Sequence, residues 1–316
     1  MTHRVLLTGG FGTLGGRLAA ILGQDPQVKL RLASRFKKNS PVWAPQAETF
    51  VIDFENMRSV KEMLHDITHV VHLVAMTDFE SRAEPVKAKL VNTEYTQRVV
   101  EQCPKNTRVV YLSTIQVYGT DLHGTITEST NTSANDAYSQ THLEAEKIVT
   151  SAHKGGRIEG LSLRNANGFG APMSQDAKIW QIIANDLCRQ AVEKKVLTLK
   201  SHGLQCRNFI PFTDVCNAIH HSLFMSSDLL GDTTFNLGGN ATIRVKEMAE
   251  LIASRCAKIL GYKPELIVQG APPENLPATF VYNSDKLRST GFSPSTSLET
   301  EIDRLLVACQ KWFEPK

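Results

Sequence analysis

A chain of 316 residues, 41% hydrophobic and 21% charged, makes one large globular domain or two closely joined ones and excludes disorder as its main theme. Its formal charge of +3 reflects balanced acids and bases with no Lys/Arg run to grip a nucleic-acid backbone, and no stretch approaches the roughly 18 apolar residues of a bilayer span. The six cysteines, Cys103, Cys188, Cys206, Cys216, Cys256 and Cys309, are scattered without a C-x-x-C pair or a metal-like grouping with histidine, so reduced packing thiols, no metal centre and a cytoplasmic setting are expected.

The first apolar run, "RVLLT", begins so early that no signal peptide is expected. It leads into "VLLTGGFGTLGG", which puts Gly9, Gly12 and Gly15 between a predicted strand and a predicted helix. Glycine at these points allows a tight turn, close approach of backbone N–H groups to a pyrophosphate, and close packing of helix on strand. The second run, "VKLRLA", continues into "SRFKK" rather than into the acidic residue that binds the adenosine ribose of NAD. Ser34, Arg35, Lys37 and Lys38 suit the extra 2′-phosphate of NADP, with NAD left open. After "TFVI", Asp53 is placed to accept from an adenine amino group or to cap the next helix.

The runs "THVVHLV" and "RVVYLS" follow, then a helix from near Tyr138 and a sixth strand, "EGLSLR". This alternation predicts an α/β fold with a doubly wound parallel sheet. Beyond Asn167 the pattern loosens into helices predicted near Ala177 to Ala191 and Val245 to Leu260, the mark of a smaller C-terminal lobe. A ligand cleft is expected between the lobes, beyond the carboxyl ends of the strands.

With "TGGFGTLG", "HLVA", Asn92, "YLSTIQVYG", Tyr138, "LRNANGFGAP", "RNFIPFTDV" and "FNLGG" in order, nearly the whole chain resembles the extended short-chain dehydrogenase/reductases, in their nucleotide-sugar epimerase, dehydratase and ketoreductase branch. The resemblance implies a Rossmann-type domain over residues 1–166 with a return segment at about 207–237. A substrate-binding lobe would then span 167–206 and 238–316, and the protein would pair as a homodimer through two helices per subunit. It implies cofactor contacts from Gly9, Phe11, Gly12, Thr13, Leu14, Gly15, Ser34, Arg35, Asp53, Phe54, Leu73, Ala75 and Asn92. Asn167 and Arg207 fall where such proteins contact a nucleotide diphosphate and ribose, and Thr77 and Asp78 are placed to face the sugar. Thr114 falls on the position that orients the substrate oxygen, and Tyr138 on the position that transfers a proton.

The departures narrow the chemistry. Sugar 4,6-dehydratases of this family carry an Asp-Glu pair after the threonine, where this chain has Ile115 and Gln116, neither an acid nor a base. Nor does Gln116 supply the cysteine of the epimerase-reductases. The family's lysine, which holds the nicotinamide ribose, is replaced by His142, four residues after Tyr138 and on the same helix face. Lys147 lies on the opposite face, and the literal Y-x-x-x-K at Tyr282 and Lys286 is far away in sequence. A histidine is mostly neutral at pH 7. The expectation is therefore a reductase of a nucleotide-linked keto-sugar, using NADP, with an altered pH profile. The alternatives are a 4-epimerase that retains its cofactor and a dinucleotide-binding sensor with little turnover.

Overall fold

The computed structural model describes residues 2–314. Its strands in chain order are β1 His3–Thr8, β2 Val28–Ser34, β3 Glu48–Val51, β4 His69–His72, β5 Thr107–Thr114, β6 Gly124–Ile126, β7 Ile158–Asn165, β8 Asn167–Phe169, β9 Val196–Leu199, β10 Cys206–Pro211, β11 Thr234–Leu237, β12 Thr242–Arg244, β13 Glu265–Val268 and β14 Phe280–Tyr282. The helices are α1 Thr13–Leu22, α2 Met57–Met63, α3 Asp78–Ala83, α4 Pro85–Ala88, α5 Tyr95–Gln102, α6 Ala137–Lys154, α7 Ile183–Lys194, α8 Phe212–Phe224, α9 Val245–Ile259, α10 Asp285–Arg288 and α11 Leu298–Phe313.

The main sheet runs β11-β7-β5-β4-β1-β2-β3, and every pairing within it is parallel. Parallel strands need both faces covered, which is why their sequences read as near-continuous apolar runs. One face packs Leu7, Leu18, Val110 and Leu161 with α1 and α8. The other packs Leu6, Val60, Val70, Val109 and Val149 with α2, α5 and α6. A separate core of Leu187, Cys188, Met248, Ile252, Leu305 and Cys309 joins α7, α9 and α11 in the smaller lobe. The six cysteines are unpaired, and all but the half-buried Cys206 are buried. Among the described residues no helix is long and apolar enough to cross a membrane.

Three local differences from the sequence pattern have plain causes. The helix expected from Ala177 begins at Ile183, because Ile182 is extended (φ −77°, ψ 143°) and Trp180 donates its indole N–H to Gln175 O at 2.9 Å. The "RNFIPF" strand, β10, pairs with β8 and β12 rather than with the main sheet. Residues near 280–292 return to the larger core, where Phe280, Tyr282, Leu287 and Phe292 are buried and β14 pairs with β6. Tyr282 donates its hydroxyl to Arg164 O at 2.7 Å, and Lys286 binds Asp232, so this Y-x-x-x-K serves packing.

Behind the sheet's carboxyl edge, the Arg164 guanidinium donates Nη2 to Glu146 Oε2 at 2.7 Å and Nη1 to the Tyr118 hydroxyl at 2.8 Å. Ser113 donates to the same carboxylate, and all four side chains are buried. The cluster ties α6 to β5 and β7 just below the helix's tyrosine. Glu146→Ala strands a buried guanidinium, so it is expected to destabilise the fold by about 3–5 kcal/mol, readable as a lowered urea midpoint.

Candidate active site

The strand order reverses between β1 and β4: from β1 the chain builds outward through β2 and β3, then returns to the other side of β1. A crevice opens there, beyond Thr8 and His72. Gly9 turns with φ +74°, and its carbonyl accepts from the Gly12 N–H at 2.8 Å. A Cβ on Gly15 would lie 2.1 Å from Gly9 O, so only glycine lets α1 start this close to the strand. No side chain caps the start of α1 at Gly12, which leaves its first N–H groups free to meet an anion. This open cradle fits a dinucleotide pyrophosphate.

The other sequence-derived cofactor positions ring the same crevice to differing degrees. Leu73 leaves β4 against Gly9, with its carbonyl carbon 3.2 Å from where a Gly9 Cβ would sit. Phe11, Thr13 and Leu14 are half-buried in the loop and first turn, and Ala75 is exposed just beyond β4. Lys38 extends its ammonium over the Phe11 ring at 4.9 Å, bringing the basic segment after β2 onto the glycine loop. Arg35 is exposed, while the Ser34 hydroxyl accepts from the Phe36 N–H at 3.3 Å. Asp53 is exposed and is not the helix cap; Asn56 caps α2 by accepting from the Arg58 and Ser59 N–H groups. Phe54 is buried and stacks on Tyr95, with ring centroids 4.7 Å apart. Asn92 is fully buried with both polar ends used: Oδ1 accepts from Met76 N at 2.7 Å, and Nδ2 donates to Thr141 Oγ1 at 3.0 Å. It braces α6 against the β4 exit rather than offering a free polar group.

Helix α6 starts beside this crevice, its first turn closed by a capping box between Asp136 and Ser139. Tyr138 is half-buried on that first turn, within hydrogen-bonding reach of the buried Thr114 at the end of β5. Burial pushes the Tyr138 phenol up to about 12; the Thr114 hydroxyl pulls it back, and the Asp78 and Asp136 carboxylates add to the rise. His142 packs edge-on against it, with ring centroids 4.5 Å apart. Burial lowers the His142 imidazole to about 4, so at neutral pH it carries no charge. Sequence reasoning placed Thr114, Tyr138 and His142 together, and the fold brings them together.

It missed what lies beneath them. The Tyr111 hydroxyl, in the middle of β5, is 2.7 Å from Nδ1 of His142. His72, at the end of β4, is 2.9 Å from Thr8 Oγ1 through its Nδ1 and is also lowered to about 4, first by burial and then by His142. The Nε2 atoms of both histidines are buried and have no hydrogen-bond partner among the described residues. The available signal was a tyrosine inside a strand covered on both faces, whose hydroxyl must find a buried partner.

On the substrate side, Thr77 is the N-cap of α3 and spends its hydroxyl on a capping box with Glu80. Asp78 pairs with Arg82 at 2.7 Å. Asn167 donates its amide to Asn208 O at 3.1 Å, joining β8 to β10. Arg207, on β10, is exposed; partial desolvation lowers its pKa and the Asp78 carboxylate acts in the opposite direction. Buried and exposed ion pairs also link the lobes. Glu301 of α11, fully buried, binds Arg17 of α1 and accepts from Thr213 at 2.7 Å, and exposed Lys178 binds Glu80 at 2.7 Å.

A glycine turn at the switch point, with Thr114 ending β5 and Tyr138 opening α6 beside it, is the arrangement of a dinucleotide-dependent enzyme of the short-chain dehydrogenase/reductase type. The chain belongs to the NAD dependent epimerase/dehydratase family, whose model matches residues 5–238. It is 24% identical to D-erythronate dehydrogenase of Haemophilus influenzae over 252 residues, covering 78% of this chain and 80% of that protein. Its fold is similar to that of UDP-glucuronic acid 4-epimerase from Bacillus cereus, solved with UDP-glucuronic acid and NAD (TM-score 0.81, 22% identity, 98% of this chain and 99% of that one). It is also similar to RMD from Pseudomonas aeruginosa, solved with NADPH (TM-score 0.77, 17% identity, 98% and 99% covered). Dependence on NAD or NADP follows from the family.

Proposed function

We propose that the protein is an NADP-preferring reductase of a ketone on a nucleotide-linked sugar. The observation that carries this reading is the pair on α6: Tyr138 packs edge-on against a buried His142, so burial opposes ionisation of the phenol and leaves the imidazole uncharged where a cation would help the phenol ionise. When bound, the nicotinamide supplies a hydride to the carbonyl carbon. Tyr138 gives its phenolic proton to the carbonyl oxygen, which Thr114 orients, and the phenolate is then reprotonated from solvent. A neutral phenol is the starting form for reduction. An epimerase must first oxidise its substrate, and that step needs the phenolate. Arg207 and Asn167 are proposed to hold the diphosphate and ribose, and Asp78 to face the sugar.

The test is direct. The nucleotide that copurifies is identified by absorbance and mass, and NADPH oxidation is followed with a panel of nucleotide-linked keto-sugars. Turnover supports the reading; tightly retained NAD(H) with epimerised product, or binding without turnover on any ketone, replaces it. The cofactor preference has its own expected result. Arg35→Ala should weaken NADPH binding about 10- to 100-fold, the worth of a charge-assisted hydrogen bond, and leave NADH binding within about twofold, as measured by fluorescence titration.

A further inference from the structure

Tyr111 and His142 are 1% and 3% exposed, and the 2.7 Å contact to Nδ1 is the phenol's hydrogen bond. Two neutral arrangements fit that contact. If Nδ1 carries the imidazole proton and donates, the Tyr111 proton has no acceptor and the Nε2 lone pair has no donor, leaving two buried polar groups unsatisfied. If the phenol donates, Nδ1 accepts, and a single N–H at Nε2 is left over. An unsatisfied buried group costs about 1–3 kcal/mol, so the second arrangement dominates by roughly 10- to 100-fold. Proton transfer to give a phenolate and an imidazolium is opposed on both sides: burial raises the Tyr111 phenol well above its ordinary value and lowers the imidazole to about 4.

We infer that Tyr111 is a positioning residue: its O–H donates to Nδ1 of His142 and fixes the ring as the Nε2–H form, so that a neutral N–H donor is kept on the helix face of Tyr138. The leftover N–H has no acceptor among the described residues, so an acceptor atom brought by the bound dinucleotide would satisfy it. The device supplies a hydrogen bond without supplying charge. This inference rests on the reading of the α6 face as the reaction face.

Two measurements test it. In cofactor-free wild-type protein labelled at histidine with nitrogen-15, the His142 signals, assigned by their loss in His142→Gln, are expected to show a protonated Nε2 and a bare Nδ1 at pH 7. A protonated Nδ1 overturns the inference, whether or not any variant folds. In a cycle of Tyr111→Phe with His142→Lys, NADPH affinity read by fluorescence should fall about 3- to 10-fold on loss of the phenol when residue 142 is histidine, the usual net worth of one hydrogen bond. In the lysine background, where no tautomer has to be set, the same change should cost less than about twofold. Equal losses in both backgrounds make Tyr111 a packing residue only. If the wild type does not bind NADPH at all, the proposed function fails, while the tautomer measurement still decides this inference.

Discussion

Tyr138→Phe is expected to lower turnover by about 10²- to 10⁴-fold, the range a positioned proton donor contributes, with NADPH affinity nearly unchanged. The substitution keeps the ring that packs against His142 and removes only the hydroxyl that Thr114 can reach. The pH dependence separates this role from simple disruption. Burial holds the wild-type phenol near 12, so it is fully protonated at neutral pH. Reduction, which consumes the phenol's proton, should therefore be flat from roughly pH 6 to 9 as far as this group is concerned, because its starting form does not change. The reverse oxidation begins from the phenolate and should rise about tenfold per pH unit over the same range. In Tyr138→Phe that slope should vanish from whatever oxidation remains. Rates of NADPH consumption and NADP+ reduction against pH check both limbs, and a phenylalanine variant that keeps the wild-type slope removes Tyr138 from the chemistry.

The alternation of apolar runs and the glycine loop made the main sheet and the dinucleotide crevice readable, because each depends on local spacing: strand, turn and helix within some twenty residues. Tyr138 and His142 were readable as a pair for the same reason, as an i,i+4 spacing on one helix. Less visible was everything that depends on contacts between distant elements. That Asn92 is used up bracing Met76 and Thr141 cannot be read from an asparagine in a helix pattern. Likewise, Thr77 reads as a polar residue beyond a strand, yet its hydroxyl closes a capping box. The return of Phe280 and Tyr282 to the large core was hidden because three-residue strands have too little period to register. The Tyr111–His142 contact spans 31 residues between a strand and a helix, too far apart in sequence for any local spacing to show it.

That absence leads to the second large effect. His142→Lys is expected to move the alkaline limb of oxidation down by about two pH units and to raise the oxidative rate at pH 7 by up to about 100-fold, since a cation about 5 Å from a phenolate at an effective dielectric near 20 stabilises it by roughly 3 kcal/mol. The His142 ring packs against the Tyr138 ring with centroids 4.5 Å apart, so a lysine at this position starts from beside the phenol. Burial opposes the gain by lowering the lysine's own pKa, which makes the figure an upper bound. The sign follows from which form each direction needs: stabilising the phenolate populates the base that oxidation requires and makes the phenol a better acid in reduction, where its proton was already in place. Reduction should rise by the same factor near pH 7, because the phenol is the resting form in both directions there and the substitution leaves the overall equilibrium unchanged. The neutral wild-type imidazole, near 4, holds no charge to lose, so His142→Ala should leave the position of the limb where it is and act on cofactor affinity alone. Parallel pH–rate profiles of the two variants decide the matter. A limb that stays put with lysine, or shifts equally with alanine, means that charge at this position does not reach the phenol.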